Sequence, residues 1–321
     1  MAFDHTHLPT TRRPGGGRAR RALVACLTLA ATTIPPAAAS ASDAPPPGET
    51  QPGSGQPGAV LVPGPKPPGH ADTDFDGDGF ADLAIGTPGD RVGGGARGGT
   101  VRVLYGAATG LGSVRIQVWS QNSAGVQDSS EEGDQFGASV ETGDFDVDGF
   151  SDLAIGAPGE SYVRGLQHDG VVHVIYGSAA GLSSAGNQVW SQDTPGVPFG
   201  AQSNDHFGRT LSAGDFDGDG ADDLVIGTPD EDLGLGAVHV LPGSIAGLSS
   251  TGAQVWTQES PGIADAAEST DRFGMALATG DFDGDGSDDL AVGVDEAVDW
   301  VAIGAVHVIY GSAGGLSCDQ I

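Results

Sequence analysis

A chain of 321 residues has room for one large or two modest domains, and this one is strongly acidic, with 43 Asp and Glu against 13 Lys and Arg and a formal charge of -30. That sign argues against nucleic acid and anionic membrane as partners, because both would be repelled. Its 55 glycines follow no Gly-X-Y period and aromatics make up only 6%, which points to a turn-rich all-β protein rather than a helical one.

The first residues read as an address. Arg12, Arg13, Arg18, Arg20 and Arg21 form a basic start, Ala22 to Ile34 is an apolar run, and Ala39-Ser40-Ala41 offers an A-x-A cleavage site. The run is too short for a spanning helix, so residues 1–41 are expected to be a signal peptide and the protein to be secreted and extracellular. Cleavage is expected after Ala41, with Ala39 as the alternative. Cys26 would leave with the signal, so Cys318 remains and no internal disulfide is expected; bound metal ions are the natural substitute. Residues 42–72 are a Pro/Gly-rich linker, interrupted by the apolar island Ala59 to Val62. The island is incidental in a tether, or a stray strand in a circular fold.

From residue 73 to 321 the chain repeats itself, in copies spanning about 73–133, 134–204, 205–270 and 271–321. Aspartate-rich loops open at Asp74, Asp144, Asp215 and Asp281. Each runs into an apolar segment: DLAIGTP from Asp82, DLAIGAP from Asp152, DLVIGTP from Asp223 and DLAVGVD from Asp289. A second segment follows: TVRVLYG from Thr100, VVHVIYG from Val171, AVHVLPG from Ala237 and AVHVIYG from Ala305. A third, QVWSQ or QVWTQ, starts at Gln117, Gln188 and Gln254. QFGASV, HFGRTL and RFGMAL precede the last three loops. These short β-branched or aromatic runs, closed by Gly or Pro, are strands, and no stretch holds a 3.6-residue apolar period. The unit is therefore four strands with its aspartate loop between the first and second. One such sheet cannot bury its own faces, so copies must stack, and radial stacking gives a β-propeller.

Phe-Gly at 136–137, 207–208 and 273–274, the aspartate loop, and Gly156-Ala157-Pro158 with its Gly-Thr-Pro variants at 86–88 and 227–229 resemble FG-GAP repeats. These are the blades of the integrin α-subunit N-terminal propeller, found also in bacterial secreted proteins. The resemblance covers about residues 72 to 316. It implies a propeller of four-stranded blades, usually seven, of which four are visible. The first copy lacks its Phe-Gly strand, the last ends before a QVW strand, and copy four has Gly293-Val294-Asp295. Either the island at 59–62 helps complete the ring or a second chain does, a homo-oligomer joined at open sheet edges.

In Asp144, Asp146, Asp148 and Asp152, alternate positions of a tight loop can aim carboxylates inward, with a carbonyl from Phe150 at position seven. An all-oxygen cage suits a hard cation, and Ca²⁺ better than Mg²⁺. Zn²⁺ is disfavoured because no loop holds Cys or His. An EF-hand is excluded: position twelve from Asp74 is Ile85, inside a strand. The matching positions are Asp74, Asp76, Asp78, Phe80 and Asp82; Asp215, Asp217, Asp219, Ala221 and Asp223; and Asp281, Asp283, Asp285, Ser287 and Asp289. Four Ca²⁺ sites are expected, structural in role.

His173, His239 and His307 recur at one strand position and are expected to be outward residues; Trp119, Trp190 and Trp256 are expected to pack blades, with Trp300 out of register. No G-x-S-x-G or other catalytic constellation is visible, so no enzymatic activity is expected. By resemblance the ligand face would be the loops joining blades, with Gly86 to Gly98, Gly156 to Gly170 and Gly293 to Gly304 as the irregular insertions. The reading is a secreted, non-enzymatic, calcium-binding adhesion or binding module for an extracellular protein or glycan. The alternatives are an accessory propeller of an extracellular hydrolase of the glycosylphosphatidylinositol-specific phospholipase D kind, and a self-assembling scaffold.

Overall fold

The computed structural model describes residues 73–318, apart from 113–114, 264–265, 296, 299–300 and 303. The expected signal peptide, the linker with its apolar island, Trp300 and residues 319–321 lie outside the described residues. What is described is almost entirely β. Blade one comprises β1 (Leu83–Thr87), β2 (Thr100–Leu104) and β3 (Ile116–Trp119). Blade two comprises β4 (Ser139–Gly143), β5 (Asp152–Ala157), β6 (Val171–Tyr176) and β7 (Ser183–Trp190). In blade three, β8 (Thr210–Gly214) and β9 (Asp223–Thr228) are followed by a helical turn α1 (Glu231–Gly234), then β10 (Ala237–Leu241) and β11 (Gln254–Trp256). Blade four has β12 (Ala276–Gly280) and β13 (Asp289–Val294), a small hairpin of β14 (Ala297–Val298) and β15 (Val301–Ala302), and β16 (Ala305–Ile309).

Each sheet is an antiparallel meander, ordered β1-β2-β3, β4-β5-β6-β7, β8-β9-β10-β11 and β12-β13-β16. The expected four-strand unit is complete in blades two and three. Among the described residues blade one lacks the Phe-Gly strand and blade four the QVW strand, as the repeats imply. The meander puts the aspartate loops, between first and second strands, at one end of every sheet. The loops joining second to third strands, and each blade to the next, gather at the other end.

Both faces of the middle sheets are covered, which is why their strands are continuous apolar runs. Every residue of β5, β6 and β9 is buried. Leu153, Ile155, Val171 and Ile175 turn towards blade one and meet Val101 and Val103. Their neighbours Ala154, Val172 and Val174 turn towards blade three and meet Leu224 and Ile226. Val225, Val238 and Val240 then meet Leu290, Val292 and Ile309 of blade four. The core is thus three apolar layers, one between each pair of sheets, and no sheet buries its faces without a neighbour.

The two glycine motifs explain one another. A Cβ on Gly156, in the Gly-Ala-Pro stretch, would fall 2.1 Å from the carbonyl oxygen of Gly208, the Phe-Gly glycine of the next blade. Gly208 has φ +85°, a conformation that glycine adopts freely. The same clash, at 2.0 Å, separates Gly86 from the Gly137 carbonyl. Blades approach this closely because both partners lack side chains.

The histidines depart from expectation. His173 and His239 do not face outward; they are 1% and 0% exposed, edge-on to Phe136 and Phe207 with ring centroids 5.3 Å apart. The alternation that predicts an outward face fails because a neighbouring blade covers that face too. Neither ring nitrogen of either residue has a hydrogen-bond partner. Burial therefore pushes the imidazoles down, His173 to about 4 and His239 to about 3. The unfolded chain takes up a proton near pH 6.5 and the folded chain does not, so stability is full above that pH and falls as the pH drops towards 4. At pH 4 each histidine should cost up to about 3 kcal/mol. We expect His173→Phe and His239→Phe to remove part of the acid sensitivity, seen as a melting-temperature difference from the parent that grows between pH 6.5 and 4.

Candidate functional site

Each aspartate loop is folded by its own carboxylates accepting backbone N–H groups. In loop two Asp144 accepts from the amides of Asp148 (3.1 Å) and Gly149 (3.2 Å), and Asp148 accepts from Phe150 (3.0 Å). Loops one, three and four repeat these bonds, for instance Gly79 to Asp74 (2.9 Å), Gly220 to Asp215 (3.0 Å) and Gly286 to Asp281 (3.2 Å). Position seven (Phe80, Phe150, Ala221, Ser287) gives its amide to the fifth-position carboxylate in every copy.

The outcome is a cluster of oxygens. Carboxylate oxygens of Asp74, Asp76 and Asp78 lie within 4.8 Å of one another, as do those of Asp215, Asp217 and Asp219, and of Asp281, Asp283 and Asp285. In loop two the set is Asp144, Asp146 and Asp152. The ninth-position carboxylates are placed differently from the other three. Asp82 accepts from Phe75 (2.8 Å) and Gly106 (2.7 Å), and Asp152 from Phe145 (2.9 Å) and Gly177 (2.8 Å). Asp223 and Asp289 do the same with Phe216 and Gly243, and with Phe282 and Gly311. Position nine therefore ties the loop to the far end of the third strand, and only Asp152 also joins its cluster.

Crowded, half-buried carboxylates are held above their ordinary range. Burial, then the neighbouring Asp148, pushes Asp146 up to about 6. Burial raises Asp152 to about 8 and Asp223 to about 7, outweighing their amide hydrogen bonds. Asp76, Asp82, Asp144, Asp215 and Asp217 shift the same way with burial as the leading cause. In loop one, Arg115 reaches Asp76 Oδ2 at 3.2 Å, while the buried Asp76 Oδ1 has no partner. An all-oxygen donor set, several charges in excess of any nearby cation, fits a hard divalent ion. Positions one, three and five would hold it, with Asp152 in place of the fifth position in loop two; its chemistry there would be charge neutralisation.

Two further positions, not singled out in the sequence, fasten the loops to the next blade. Position eight accepts the first-position amide of the preceding loop: Asp74 to Ser151 Oγ (3.0 Å), Asp144 to Asp222 Oδ2 (2.8 Å), Asp215 to Asp288 Oδ2 (3.1 Å). Its own amide returns the bond to the same residue's carbonyl. The position-two rings Phe75, Phe145 and Phe216 are fully buried against the following blade. A repeated D-F-D was the available signal for the ring.

At the opposite end, a cavity of about 430 Å³ lies among the loops around 202–206, 230–234 and 270–272. His206 Nδ1 meets Asp230 Oδ2 at 2.9 Å and Arg272 Nε meets Asp230 Oδ1 at 3.5 Å. His168 stacks on His206 with centroids 6.0 Å apart. Asn204, His206, Leu233, Thr270 and Arg272 line this cavity with φ between +53° and +80°, a clustering of strained backbone usual at functional loops.

Comparison with known proteins accords with this geometry. The FG-GAP repeat model matches residues 71–104, 136–175, 207–241 and 273–309. The chain is an FG-GAP repeat protein. It is 32% identical over 226 residues to integrin alpha-PS2 of Drosophila melanogaster, taking in 68% of this chain and 14% of that protein. It is 37% identical over 158 residues to phosphatidylinositol-glycan-specific phospholipase D of Bos taurus, 49% of this chain and 18% of the relative. Integrin alpha-4 of Xenopus laevis is 30% identical over 167 residues, 50% and 14% respectively. The chain thus spans less than a fifth of each relative's length.

Two measurements probe the loops. Asp222→Ala should strand the Asp144 amide and cost about 1–2 kcal/mol, read as a lowered melting temperature, whereas Asp222→Ser, which copies Ser151, should cost less. In metal-free protein the raised Asp152 and Asp223 bind protons that the unfolded chain does not. Stability should therefore rise as pH falls from 9 to 6, and a saturating divalent ion should flatten that rise.

Proposed function

We propose that this FG-GAP chain is an exported, calcium-stabilised propeller module that binds an extracellular protein or glycan and performs no chemistry of its own. The observation that carries the reading is the fourfold recurrence of a carboxylate cluster at the same turn of each blade. Calcium would sit among Asp74, Asp76 and Asp78 and their counterparts, neutralising charge that otherwise opposes folding. Extracellular calcium modules hold the ion with Kd of roughly 10⁻⁴–10⁻³ M. At ten times Kd each ion stabilises by about 1.4 kcal/mol, so four together contribute about 5–6 kcal/mol, comparable with the stability of an ordinary domain.

Ligand capture is assigned to the other end of the sheets, where strained loops surround the cavity carrying His206, Asp230 and Arg272. Export rests on the basic, apolar and A-x-A layout of residues 1–41, and among the described residues no helix is long and apolar enough to cross a membrane. Similarity to an integrin α subunit supports an adhesive partner. Similarity to phosphatidylinositol-glycan-specific phospholipase D supports a second reading, in which the propeller accompanies a hydrolase.

Calorimetric titration with calcium should show saturable uptake, and excess EGTA should lower the melting temperature by well over 5 °C; an unchanged melt would overturn the structural role of the ion. Binding screens against matrix proteins and glycans, repeated with Arg272→Ala, test the ligand end. Turnover of a phosphatidylinositol-glycan by the purified chain would overturn the non-enzymatic reading.

A further inference from the structure

Arg115 belongs to the first copy alone. Two positions before the QVW glutamines Gln117, Gln188 and Gln254 stand Arg115, Gly186 and Gly252. In blade one the guanidinium fills a niche beside the aspartate loop. Its Cζ lies 3.5 Å from the centre of the Tyr105 ring, Nη1 donates to the Ala180 carbonyl at 2.7 Å, and Nη2 meets Asp76 Oδ2 at 3.2 Å. An aromatic face, a carbonyl and a carboxylate together match the planar, forked head group of arginine.

The repeat builds the same niche one blade further on. A cavity of about 310 Å³ is lined there by Asp146, Tyr176, Gly186 and Ala246, the counterparts of Asp76, Tyr105, Arg115 and Ala180. The two tyrosines are held alike. Tyr105 donates its hydroxyl to Gln117 and accepts the Leu182 amide; Tyr176 donates to Gln188 and accepts the Leu248 amide. Beside Gly186 the space is open, since a Cβ there would meet nothing within 4 Å. Blade three repeats the cavity, at about 290 Å³ and lined by Asp217, Gly252 and Gly314, but Pro242 replaces the tyrosine and removes the stacking face.

We propose that the cavity between Asp146 and Tyr176 receives the side chain of an arginine from a partner polypeptide, in the pose that Arg115 takes in blade one. A lysine could meet the carboxylate but has no flat face to lay on the ring. The net charge of -30 draws a basic partner towards the chain. The cavity lies at the aspartate-loop end of the sheets, away from the cavity around His206, Asp230 and Arg272, so it is a second recognition surface. Asp76 takes the guanidinium through Oδ2 and still belongs to its loop cluster, so arginine capture at Asp146 stands or falls separately from the ion sites.

The test is titration of the isotope-labelled full chain with the peptide acetyl-Gly-Arg-Gly-amide, followed at the amide resonances of Gly177 and Gly186 and by calorimetry. The expected result is a saturable shift at both amides, one peptide per chain, and several-fold weaker binding of the lysine counterpart. Tyr176→Leu and Asp146→Asn should each weaken binding about tenfold. Arg115→Gly provides a gain of binding that needs no change in blade two: it opens the niche at Asp76 and Tyr105, and the peptide count should rise from one to two. Unshifted Gly177 and Gly186 amides, equal affinity for the lysine peptide, or a count that stays at one in Arg115→Gly overturns the proposal. Tighter binding of free L-arginine than of the peptide overturns the polypeptide partner and marks a pocket for the amino acid itself.

Discussion

Everything in this fold rests on backbone amides delivered to aspartate carboxylates. The ninth-position aspartate of each loop takes one amide from its own loop and one from the end of the third strand. The first-position aspartate takes several from the turn it opens and offers its own amide across to the following blade. A carboxylate that accepts amide hydrogen bonds can be buried at a bearable cost, and each of these bonds fixes a position in the chain that apolar packing alone would leave loose. What the amides do not cancel is the mutual repulsion of three acids within 4.8 Å. Burial and that remaining repulsion together hold the carboxylates above their ordinary range, so stability depends on pH, and they are the ground for the ion sites proposed above.

The same economy of backbone contact governs how blades meet. A glycine of one sheet lies against a glycine carbonyl of the next, 2.1 Å from where a Cβ would be at Gly156. Apolar side chains of neighbouring sheets then pack into shared clusters. Since each interior sheet has a neighbour on both faces, burial is complete in the middle strands β5, β6, β9 and β10 of blades two and three. Leu83 and Ile85 of β1 remain 42% and 40% exposed where their counterparts Leu153 and Ile155 are fully buried.

Much of this was legible in the chain. The four aspartate loops, the strand runs with their Gly and Pro boundaries, the missing Phe-Gly strand of the first copy and the packing role of Trp119 and Trp190 all follow from residue type and spacing. The histidines were not legible, because a strand reads as half-exposed until a second sheet is known to cover it. Position eight was obscured as well: Ser151, Asp222 and Asp288 differ in type, and what unites them is an acceptor aimed at a blade some seventy residues earlier in the chain.

Consider, last, the way Ser151, Asp222 and Asp288 receive the preceding loop. At each of these junctions the side-chain acceptor belongs to the later unit and the amide it receives to the earlier one, while a backbone bond returns the other way. A duplicated stretch of about seventy residues would arrive already fitted with a plug on one side and a socket on the other. Lengthening by whole modules therefore requires no new joint to evolve. Insertion of a few residues inside an aspartate loop would break two junctions at once. Such an architecture invites growth by gene duplication and resists small indels at its turns, while leaving the connections at the opposite rim free to diverge.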